Sequence, residues 1–127
     1  KGIVFTSVAN DFNLFQYSYT YGKKIKPWWI IPPEHINYFN VNSIQKLFHK
    51  RGFRTKDITT SFPIDMFLLM GIDYIAKKNL GKDAHDFRKK FEENLKISGL
   101  EDLLKSLQEN FTKLNIGRQI DLIVQKK

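Results

Sequence analysis

The chain has 127 residues, the size of one domain and enough to bury roughly two thirds of the surface its unfolded form would expose. An apolar share of 42% with 27% charged residues excludes a disordered chain, and the absence of cysteine excludes a disulfide framework, a thiolate metal site and a thiol nucleophile. The formal charge of +8 is uneven, since residues 1–60 hold nine Lys/Arg against three Asp/Glu while residues 61–127 hold twelve against ten.

A basic excess of this kind suits anionic partners. The clusters Lys23-Lys24-Ile25-Lys26 and His49-Lys50-Arg51 are short, however, and belong to no nucleic-acid motif. They read as a solvated lysine surface, which argues against a nucleic-acid partner. The longest apolar run, around Met66 to Ile72, is broken by Asp73 and is far too short to span a bilayer. With no cysteine and no signal peptide, the expected location is the cytoplasm and no membrane partner is expected. Lys1-Gly2 runs straight into Ile3 to Val8, so the chain is expected to be part of a longer protein.

In chain order, residues 3–8 are β-rich and mostly apolar, the pattern of a strand buried on both faces. Residues 10–40 have no clean period and carry aromatics from Phe12 to Trp29 ahead of Pro32-Pro33, so a functional loop is expected there, with a short helix around 13–20. Asn40 or Asn42 can cap a helix over 41–51 that presents Ile44, Leu47 and Phe48 on one face and stops at Gly52. Residues 53–60 read as a strand near a sheet edge. Pro63 suits the first turn of a helix over 63–78, apolar on most sides and therefore covered on more than one face.

Residues 83–97 and 100–113 are amphipathic helices separated by Gly99, and residues 119–125 alternate Ile120, Leu122 and Val124 as a final strand. The expected fold class is therefore α/β, with three strands separated by helices in a single domain, residues 1–127.

"GIVFTSVAND", "WWIIPPEHINYFNVNSIQKLFHKRGF" and "NIGRQIDLIVQKK" together resemble the C-terminal portion of class I S-adenosylmethionine-dependent methyltransferases, in their broad small-molecule branch. The resemblance covers residues 1–60 and 115–127, and makes 63–113 a helical insertion between the last two strands. It implies part of a Rossmann-like sheet in which residues 119–125 run antiparallel between 3–8 and 53–60. It also implies a transferase whose cofactor, S-adenosylmethionine, sits on strands this sequence does not contain: the seven glycines are scattered and no Gly-rich turn is present. No cofactor-binding residue is therefore assigned, and the chain alone is expected to be inactive.

Ligands of open α/β sheets gather outside the carboxyl ends of the parallel strands, so the resemblance makes residues 10–39 the roof of an acceptor pocket. Within it, His35 is the candidate catalytic base for a hydroxyl or amine acceptor, or else the residue that ties the loop to the following helix through a backbone hydrogen bond. Asn10, Trp28, Glu34 and Tyr38 are the candidate substrate-binding residues, with Glu34 equally suited to meeting a lysine or a helix cap. Trp29 and Phe39 are expected to pack on the core. His49 and His85 are read as solvated, and the three histidines have no metal-ligand spacing, so no metal is expected.

A non-catalytic interaction module is the alternative. Under either reading the strand edge at 3–8 lacks a neighbour, so the isolated chain is expected to cover it by pairing with a second copy or rearranging locally, with the helix at 63–78 as an alternative homodimer face.

Overall fold

The computed structural model describes residues 2–127. Its elements are β1 (Ile3–Ala9), α1 (Leu14–Lys23), α2 (Val41–Lys50), β2 (Phe53–Thr60), α3 (Met66–Leu69), α4 (Leu80–Ile97), α5 (Glu101–Lys113) and β3 (Gln119–Lys126). The three strands form one sheet in the order β1-β3-β2, and β3 is antiparallel to both neighbours, which makes β1 and β2 parallel to each other. The chain is thus α/β, as its element pattern implied, and its last strand is central.

The alternation in β3 sets the core. Ile120, Leu122 and Val124 are wholly buried and pack against Val41 and Ile44 of α2, with Val8, Phe39, Phe48, Phe53 and Ile58 closing the cluster. Register places Val8 opposite Ile120 and Ile58 opposite Leu122, so both outer strands add apolar side chains to the same face. Burial of each such side chain stabilises the fold by roughly 1.5–3 kcal/mol. The register of β2 shifts between Thr55 and Asp57, a bulge that leaves Lys56 without a partner on β3.

Helix α2 begins at Asn40, whose side chain accepts from the Asn42 and Ser43 N–H groups, while the Ser43 hydroxyl accepts from the Asn40 N–H. It ends at Gly52, where φ is +79°, the left-handed conformation that glycine adopts without strain. Helix α1 uses the same device at Asn13 with Gln16. A second aromatic cluster, with Phe62 against Phe67, Phe91 and Phe111, joins α4 and α5 to the sheet, where the Thr112 hydroxyl accepts from the Thr60 N–H at 2.8 Å.

Two expectations are corrected. Residues 3–8 are not buried on both faces: Val8 packs on the core, whereas Ile3 and Phe5 on the opposite face are 64% and 63% exposed, and β1 is an edge strand that pairs only with β3. An apolar run reports that a strand is sticky, not that its partner is present.

The helix expected over 63–78 is confined to Met66–Leu69. Gly71 at φ +92° turns the chain out of the helix, and the Asp73 carboxylate then accepts from the Ile75 and Ala76 N–H groups to fix a turn. That segment therefore offers no long helical face for a dimer. Instead α4 starts early, at Leu80 rather than residue 83.

Candidate functional site

Residues 10–39 form a closed loop. Asn10 and Phe39 make a parallel bridge, and the Asp11 N–H donates to the Phe39 carbonyl at 2.8 Å, so the loop leaves β1 and returns to the same point. Beneath it, at the carboxyl end of β1, lies a cleft of about 410 Å³. Its floor is Ser7, Val8 and Ala9; its walls are Trp28, Trp29, Ile31 and Phe39; and Asp11, His35, Asn37 and Arg118 supply its polar groups. The size and mixed lining suit a small molecule.

The aromatic wall is rigid. Trp28 and Trp29 stand at 89° with ring centroids 4.8 Å apart, Phe12 meets Trp29 edge-on at 5.4 Å, and Tyr19 braces Trp28 at 5.5 Å. The bond between Pro32 and Pro33 is cis. The Tyr38 hydroxyl donates to the His35 carbonyl at 2.8 Å and accepts from the Ile31 N–H at 3.0 Å, and the His35 N–H donates to the Ile31 carbonyl at 3.0 Å. The backbone of His35, not its ring, thus holds the loop, which leaves the exposed imidazole at the cleft wall free for other work.

The polar groups at the carboxyl end of the sheet are linked. Arg118 Nη1 lies 3.1 Å from Asp11 Oδ1, and the same oxygen accepts from Gln16 Nε2 at 3.3 Å. Asn13 Nδ2 donates to the Asn10 carbonyl at 3.0 Å and to Asp65 Oδ2 at 3.3 Å, and the Tyr74 hydroxyl donates to Asp65 Oδ1 at 2.7 Å. Burial, and then the Asp65 carboxylate beside it, raise the pKa of the Tyr74 phenol, so it stays a neutral donor. On the far side of Trp28, burial and the neighbouring Asp73 carboxylate push the Tyr19 phenol up to about 12. Two buried polar atoms among the described residues lack a partner, Asn10 Oδ1 and Trp29 Nε1.

The structure brings Trp28 and His35 together at the cleft. Glu34 is exposed, does not line the cleft, and joins neither of the two ion pairs among the described residues, Arg88–Glu92 and Arg118–Asp11. Its expected lysine or cap is therefore not met.

Asn10 is wholly buried and turned away from the cleft, with Nδ2 donating to the Gly117 carbonyl at 2.8 Å and the Asn115 carbonyl at 3.3 Å. Tyr38 acts as a latch behind the loop and does not line the cleft. Trp29 is buried as expected but also lines the cleft, and Asp11 and Arg118 join it there. Asp11 directly follows the candidate Asn10 at the exit of β1. Arg118 gave no local signal, because it reaches the site from the other end of the chain. No protein-family model, curated protein or solved structure matches this chain.

Proposed function

We propose that this chain is the acceptor-holding side of a class I S-adenosylmethionine-dependent methyltransferase acting on a small molecule. The observation that supports this most strongly is the strand order: β3 runs antiparallel between two mutually parallel strands, and the loop leaving β1 roofs a cleft at its carboxyl end. The "PPEHINYF" loop over the cleft and the Gly52-Phe53 turn between α2 and β2 also support the reading.

The residues present do not fit the cofactor. Gly52, Gly71 and Gly99 close helices at positive φ, Gly117 lies under Thr60, and none follows β1, whose carboxyl end passes directly to Asn10 and Asp11. Under this reading the methyl donor is held by further strands beside the free edge of β1, and this chain's task is to orient the acceptor. Alignment of reacting groups is a large part of such a displacement. The indoles and Phe39 would hold the acceptor away from water, and His35 would take the proton from its hydroxyl or amine.

The test is methyl transfer by the full gene product. Its reading frame is expected to encode a Gly-rich strand–turn–helix ahead of β1, and His35→Gln is expected to lower kcat about a hundredfold. Binding of S-adenosylmethionine by residues 1–127 alone would refute the reading, as would a full gene product without such a segment.

A second reading is favoured by one observation. No residue of Ile3–Ala9 is charged, and Ile3 and Phe5 stand exposed on the free edge, which suits pairing with a second copy of the chain. Sedimentation equilibrium of the full gene product, in which the first reading has further strands covering that edge, separates the two, with Phe5→Lys as the disrupting variant. A dimer abolished by the lysine supports association, and a monomer at all concentrations removes it.

A further inference from the structure

We infer that the cleft under the 10–39 loop takes a small, flat molecule bearing a carboxylate, held by Arg118. The inference deepens the acceptor reading and rests on it for the role of the ligand, but the binding chemistry stands on the cleft itself.

Asp11 and Arg118 are the two oppositely charged groups that line the cleft. The Asp11 carboxylate is 8% exposed and already accepts from Arg118 and Gln16, so it is poorly placed to recruit a cation. The Arg118 side chain is 30% exposed and is the more open member of the pair. A guanidinium carries five N–H donors. Here Nη1 alone is engaged, by Asp11 Oδ1 at 3.1 Å and the Asn10 carbonyl at 3.5 Å, which leaves Nη2 and Nε without protein acceptors among the described residues. Trp29 Nε1 is a further buried donor with no acceptor. Both residues line the same cleft, where these donors are in excess of the protein acceptors that meet them.

A ligand that supplies acceptor oxygens resolves this excess. A carboxylate matches the free Nη2–Nε edge of the guanidinium, while Nη1 stays with Asp11. A phosphate dianion is a worse match, because no lysine and no second arginine lines the cleft. The perpendicular rings of Trp28 and Trp29 offer one face and one edge to a flat body attached to that carboxylate.

The chain has two tryptophans, and both line the cleft, so intrinsic fluorescence excited at the red edge of tryptophan absorption reads this site directly. Benzoate, benzamide, benzylamine and phenyl phosphate are titrated as probes. The expected result is a saturable change with benzoate, at a concentration about tenfold below that needed for benzamide. Arg118→Lys, which keeps the charge and loses the fork, is expected to weaken benzoate severalfold, and Arg118→Gln to bring benzoate and benzamide level.

Equal binding of benzoate and benzamide by the unaltered chain overturns the inference, as does tighter binding of benzylamine or phenyl phosphate, or no saturable change with any probe. The comparison of probes on the unaltered chain carries the test even where a variant fails to fold. Benzoate binding by a full gene product that transfers no methyl group would keep the carboxylate site and refute the acceptor reading. Methyl transfer without benzoate binding would do the reverse.

Discussion

Arg118 and Asp11 lie 107 residues apart in sequence, and their side chains meet at 3.1 Å across the carboxyl end of the sheet. The contact joins the start of β3 to the exit of β1 and keeps a nearly buried carboxylate compensated. Arg118→Met should cost about 3 kcal/mol of stability, because it strands that charge away from water. Adding Asp11→Asn should recover a large part of the loss. Urea denaturation of the two single variants and the double variant measures both effects and their coupling.

Gly117 sits where no side chain fits. A Cβ there would overlap the Thr60 side chain and the Ser61 carbonyl oxygen, in a segment tied to β3 by the bond from the Ser61 N–H to the Gln119 carbonyl at 2.9 Å. Gly117→Ala should destabilise the chain by about 2 kcal/mol. Thermal unfolding checks this, and Thr60→Ser should not rescue it, since the backbone oxygen remains in the way.

The Tyr38 latch predicts a local effect with little global cost. Tyr38→Phe removes one donor and one acceptor that tie His35 and Ile31 together, at about 1 kcal/mol for partly exposed groups. Amide hydrogen exchange should quicken at Ile31 while the N–H groups of β3 stay protected. Uniform acceleration along the chain would show that the latch is global instead.

Tyr19 and Asp73 define a pH window. The Ala76 N–H, and then the Tyr19 hydroxyl, hold the Asp73 carboxyl below its usual range, so its contribution is present above the ordinary carboxylate pKa and fades as pH falls through the lowered value. Tyr19 is raised from 10.0 to about 12, so its contribution is full below pH 10.0 and is lost as pH rises through about 12. The unaltered chain should therefore lose melting temperature relative to Tyr19→Phe as pH rises from 10.0 through about 12, while its margin over Asp73→Asn should fade toward the acid limit.

Much of the fold was legible because local signals agreed with tertiary ones. The alternation of Ile120, Leu122 and Val124 marked a strand with one buried face, and Asn40 and Gly52 bracketed α2. The failures came where a residue's conformation or partner lies outside its local window. Met66 to Met70 carries enough apolar side chains for a helix, but Gly71 at positive φ and the Asp73 turn end it at once. At the site, aromatic density pointed to the loop, and Trp28 and His35 do face the cleft. Asn10 was displaced from it by the demand of the Gly117 and Asn115 carbonyls for a donor. Arg118 was invisible because its meaning depends on a residue at the opposite end of the sequence.

The bridge between Asn10 and Phe39 gives the 10–39 segment a property of its own. Because the chain re-enters the body beside its point of departure, the intervening residues behave as a cassette clipped onto an unchanged frame. Their length and chemistry can drift without moving β1, α2 or the register of β3. The cleft walls that come from this cassette, among them Trp28, Trp29 and His35, could therefore change while the floor at Ser7 to Ala9 and Arg118 stay the same.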